Sequence, residues 1–67
     1  MINLYEGFEI CAPRLVRGFK TFADAKAHAL KLYDVALFED DLDHADCADF
    51  ITQSGTLYMI EPASRRA

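Results

Sequence analysis

Thr21-Phe22-Ala23-Asp24-Ala25-Lys26-Ala27-His28-Ala29-Leu30-Lys31-Leu32-Tyr33 is the stretch on which the fold turns. Thr21 is a good N-cap, and Asp24 completes a capping-box-like pair with it. The residues from Phe22 to Tyr33 are rich in Ala, Leu and Lys and include no Gly, Pro or β-branched side chain. Phe22, Ala25, Ala29, Leu32 and Tyr33 recur at helical spacing and share one face. Asp24, Ala27, His28 and Lys31 lie on the other side, with Lys26 and Leu30 flanking the apolar stripe. The pattern predicts one helix whose small alanines let it approach a sheet closely.

Strand signals surround the helix. Phe8-Glu9-Ile10-Cys11 alternates with period two, and Glu6-Gly7 before it reads as a turn, which makes Ile2 to Tyr5 a short edge strand. Pro13 limits pairing beyond Cys11, and Leu15-Val16 and Phe19 lead past Gly18 to the helix. After the helix, Val35-Ala36-Leu37-Phe38 is a short apolar strand. Ser54-Gly55 then sits between two strand-like runs, 49–53 and 56–60, and suggests a two-residue primed turn. Direct pairing across that turn sets Ile51 opposite Tyr58 and Phe50 opposite Met59. Phe50, Leu57 and Met59 then share one face, with Ile51, Tyr58 and Ile60 on the other. Pro62 ends the last strand, and residues 63–67 are expected to fray. The order of strands, helix, strand and hairpin predicts an α+β fold over residues 1–67. It is a single small domain, an antiparallel sheet of about three to five strands with the helix packed on one face.

Composition bounds the function. A chain of 67 residues is one domain, and its apolar fraction of 52% is enough for a packed core. The formal net charge is −4, and Lys and Arg form no stripe, which disfavours direct binding to nucleic acid or to an anionic membrane. No apolar run approaches the ~20 residues of a membrane span, and the first residues lack the features of a signal peptide. The expected compartment is the cytoplasm, with Cys11 and Cys47 as reduced, packed thiols.

Six of the eleven acidic residues fall between Glu39 and Asp49: Glu39, Asp40, Asp41, Asp43, Asp46 and Asp49. No Lys or Arg interrupts them. Such a cluster repels itself and does not help a small domain fold, so it is a candidate for meeting something positive. No frame of it fits a calcium loop: counted from Asp41, Ala45 falls at a ligand position and Asp46 where Gly is needed. Asp43, His44, Asp46 and Cys47 lack the paired Cys or His of a zinc site. Acidic neighbours raise the pKa of a thiol at Cys47, which argues against a nucleophile paired with His28 or His44. The three glycines are scattered and make no phosphate loop. The residues therefore predict no enzyme, cofactor or metal. They predict a protein-binding surface made by the carboxylates, with Tyr33, Tyr58 or Phe38 near its rim as apolar anchors.

Carboxylates spaced along an edge can imitate a nucleic-acid backbone, which carries one charge per ~1.7 Å of duplex axis. In size, charge and sheet-plus-helix outline the chain resembles small phage-encoded anti-CRISPR inhibitors that mimic DNA. That resemblance implies a non-enzymatic inhibitor or adaptor in the host cytoplasm. Its Glu39, Asp40, Asp41, Asp43, Asp46 and Asp49 would occupy the basic nucleic-acid-binding surface of a partner such as a CRISPR effector subunit. The alternatives are a homodimerising structural module that uses the second apolar sheet face, and a small cation-binding domain.

Overall fold

Thr21 caps the helix, accepting the Asp24 N–H at 3.1 Å from an extended backbone. The computed structural model describes residues 1–7 and 12–66. Within them the chain runs β1 (Ile2–Glu6), β2 (Arg14–Phe19), α1 (Phe22–Leu32), β3 (Val35–Asp40), β4 (Ala48–Thr52), β5 (Leu57–Pro62) and a 3₁₀ helix over Ala63–Arg66. The five strands form one antiparallel sheet in the order β2-β1-β5-β4-β3, and α1 packs on one face of it. The expected α+β domain with a single helix is the fold of this protein. The strand expected over Phe8–Cys11 lies outside the described residues.

The register writes the core as rows across the sheet. Phe38, Phe50, Tyr58, Glu6 and Arg14 are successive partners from β3 to β2. Phe38 stacks on Phe50, and Phe50 on Tyr58, with centroids 5.7 and 4.9 Å apart. At the far end of the row the Tyr58 hydroxyl donates to Glu6, whose carboxylate also accepts from Arg14 at 2.9 Å. The next row brings Ile60 and Leu4 together, both almost fully buried. Ala25 and Ala29, buried on α1, let the helix backbone come down onto this layer.

The helix ends where Tyr33 turns extended, and the Tyr33 ring lies over Tyr58 and Phe50 at 4.8 and 5.6 Å. Two helix residues depart from the expected faces. His28, placed by spacing on the polar side, is half-buried, with its ring 5.0 Å from Phe19 of β2. Leu32, counted in the apolar stripe, is 64% exposed. The edge strand β2 supplies Phe19 beneath the His28 flank, and this tertiary neighbour was not visible in the helical pattern.

Two strand expectations are corrected. β1 is not an edge: it pairs with β2 on one side and with β5 on the other. The final hairpin does not turn through Ser54-Gly55 alone. Thr52 N–H donates to Thr56 at 2.9 Å and Gly55 N–H to Thr52 at 2.9 Å, so the loop is Gln53-Ser54-Gly55, with Gly55 at φ 91°. This is the three-residue hairpin whose last position takes positive φ. Phe50 therefore pairs with Tyr58, and Ile51 with Leu57. A one-residue change of register redistributes the side chains between faces. Phe50, Tyr58 and Ile60 lie under the helix, whereas Ile51, Leu57 and Met59 lie on the opposite face. Finally, Ala63–Arg66, expected to fray, makes a turn of 3₁₀ helix. Ala63 N–H donates to the Met1 carbonyl at 2.8 Å, and Arg65 donates to the buried Cys47 sulfur at 2.9 Å.

Candidate functional site

The acidic residues do not form one patch. β3 runs two residues beyond the expected Phe38, so Glu39 and Asp40 belong to the strand and Asp49 to β4. Only Asp41, Asp43 and Asp46 lie on the connection between them. Alternation along the strands then sends the carboxylates in three directions.

Asp40 shares the helix face. Its carboxylate pairs with the Lys26 ammonium at 3.0 Å, and that ammonium sits 5.0 Å from the centre of the Phe38 ring. Lys26 thus fastens α1 to the edge strand, in a half-exposed pair of the kind worth ~0–1 kcal/mol.

Asp41 organises the connection. One carboxylate oxygen accepts the N–H groups of Asp43 and His44 at 2.9 and 3.2 Å, and the other meets the His44 ring at 3.2 Å. The Asp41 N–H closes the loop onto the Cys47 carbonyl at 3.0 Å. The Asp43 N–H, followed by His44, holds the Asp41 carboxyl below its ordinary value. Asp46 bends the chain back with a positive φ of 64°. Leu42, between these carboxylates, is 98% exposed.

Glu39 and Asp49 face away from the helix. They are direct partners across the β3–β4 ladder, followed in the same row by Met59 of β5 and Tyr5 of β1. Beside them run Leu37, Ile51 and Leu57. Met59 and Tyr5 are buried, whereas Leu37 is 55% exposed. The face is open at both ends of this row, at Leu15 of β2, also 55% exposed, and on its β3 side. There Leu37, Glu39, Asp49, Ile51 and Leu57 line a shallow groove of about 190 Å³.

No protein-family model, curated protein or solved structure matches this chain.

The geometry divides the sequence-predicted residues by role. Asp40 and Asp41 hold structure, through Lys26 and through the turn. Glu39 and Asp49 rim an apolar groove, and Asp43 and Asp46 stand exposed on the connection with Leu42. The aromatic anchors expected at the rim are elsewhere. Tyr58 is buried, and Tyr33 and Phe38 are half-buried, all in the ring stack beneath the helix. The apolar residues beside the carboxylates are instead Leu37, Ile51, Leu57 and Leu42. Leu37 and Glu39 were recognisable as same-face neighbours by their spacing of two, once the strand was carried through Asp40. Among the described residues, no group of His, Cys, Asp or Glu converges as a metal site, and no helix is long and apolar enough to cross a membrane.

Proposed function

We propose that this protein is a non-enzymatic inhibitor or adaptor that binds another protein through the β3–β4 side of its sheet. The observation that carries the reading is the Glu39–Asp49 pair. Like charges directly opposite one another on a sheet are destabilising, and here they stand beside the exposed Leu37 and the half-buried Ile51 and Leu57. A partner with Lys or Arg at this position pairs with Glu39 and covers Leu37 and Ile51 in the same step. The exposed Asp43 and Asp46 add to the negative field that steers such a partner. A Lys/Arg-rich nucleic-acid-binding surface has this chemistry, and a CRISPR effector subunit is one candidate owner of it. Asp40 and Asp41 hold the helix and the turn, so the docking charge in this reading is Glu39 with the exposed Asp43 and Asp46, and Asp49 stands beside Glu39.

Affinity capture at low and high salt tests this, with the natural chain beside a Glu39→Lys/Asp49→Lys variant. The expected result is a basic protein retained by the natural chain at low salt, lost at high salt, displaced by duplex DNA, and not retained by the variant. Equal retention by both chains would end the reading.

A further inference from the structure

The groove lies against a sheet edge, and this suggests how a partner docks there. Among the described residues β3 pairs only with β4, so its other side is the end of the sheet. The Asp41 N–H points inward to Cys47. Backbone groups alternate along an antiparallel strand, so those of Glu39 also point inward and those of Phe38 and Asp40 point out of the sheet. We infer that this edge accepts an extended segment of a partner protein as a sixth strand. The segment carries an apolar side chain and a Lys or Arg two positions apart, with an uncharged residue between them. The inference rests on the docking reading above and specifies the partner's part in it.

The side-chain requirements follow from the two faces of β3. On the open face an added strand lies next to Leu37 and then Glu39. Its apolar residue extends over Leu37 toward Ile51 and Leu57, and its basic residue meets Glu39. On the helix face the intervening residue lies beside Phe38, where the Lys26 ammonium already sits over the ring. A second cation there competes with Lys26 for the Asp40 carboxylate, whereas Thr or Ser leaves that pair intact. Main-chain hydrogen bonds to Phe38 and Asp40 supply affinity, and the alternating side chains supply specificity.

The test uses the unmodified protein and short, end-capped Thr-rich peptides in which Leu and Lys stand two positions apart. Both orders are made, because parallel and antiparallel addition reverse the motif. One order is expected to bind at low salt. Binding should slow amide hydrogen exchange at Phe38 and Asp40, leaving Leu37 and Glu39 unchanged because these already bond inward. Replacing the peptide Lys by Glu, or the middle Thr by Lys, should weaken binding at least about tenfold. Binding without new protection at Phe38 and Asp40, or no binding in either order, overturns strand addition. If the peptides fail while the charge-reversed variant still loses its protein partner, the docking reading stands and only the strand mode falls. A chain that self-associates through β3 in the absence of peptide assigns the edge to a second copy and also overturns the inference.

Discussion

Glu39 and Asp49 stand directly opposite each other across the β3–β4 ladder, on the face that the helix leaves open. Two carboxylates in this relation cost stability that a neutral cross-strand pair does not. Glu39→Thr removes the repulsion and introduces a residue with better strand propensity. Urea unfolding is expected to show a gain of about 0.2–1 kcal/mol, smaller at high salt. A loss of stability would mean that Glu39 is held by something other than its register partner.

His28 makes the fold sensitive to mild acid. Burial beside Phe19, and then the nearby Arg17, lower its pKa from the ordinary 6.5. The folded chain therefore resists a proton that the unfolded chain accepts. The contribution is fully present above pH 6.5 and is lost progressively as pH falls below it, toward the lowered folded value. Unfolding measured between pH 7.5 and 5.5 separates this from the carboxylates, whose lowered values at Glu6 and Asp41 act below 4.5 and 3.8. His28→Gln should flatten the slope in that window.

The connection between β3 and β4 depends on the oxygen atoms of Asp41 more than on its charge. Asn keeps an acceptor for the Asp43 and His44 N–H groups, and Ala does not. Asp41→Ala should lower the melting temperature and speed amide exchange at Asp43 and His44, whereas Asp41→Asn should leave exchange at those two amides slow.

Gly55 has φ 91°, and a Cβ placed there meets nothing within 4 Å. Gly55→Ala should therefore cost about 1–2 kcal/mol from backbone conformation alone, with no contribution from crowding. Thermal or urea unfolding gives the magnitude, and chemical shifts confined to the 52–56 loop would confirm that packing is untouched.

The helix was legible because its determinants are local: Thr21 as cap, Ala25 and Ala29 in the stripe, and no breaker before Tyr33. The sheet was legible in kind and less so in detail. Ser54-Gly55 looks like a complete two-residue turn, yet Gly55 takes its positive φ as the third loop residue, which moved Phe50 and Leu57 to opposite faces. β2 was unreadable for a different reason. Arg14 to Gly18 is exposed, and the register shift opposite Leu4 and Tyr5 breaks the period-two signal. The carboxylates could be found by counting, but their directions could not. Those depended on β3 continuing through two acidic residues, which strand propensity disfavours and the ladder to β4 enforces.

The pairing of β1 with β5 has a consequence for how the chain is made. Glu6 and Tyr58 are register partners 52 residues apart. Of the five strands, β1 leaves the ribosome first and finds its central neighbour only after the other three have been synthesised. Until β5 is released, no Tyr58 links Phe50 to Glu6 of β1, and Leu4 has no Ile60 to pack against. Assembly of the sheet is thus a late, long-range event, of the kind that slows folding in small β-rich domains. The nascent chain spends that interval with Leu4 of β1 and the apolar stripe of α1 uncovered.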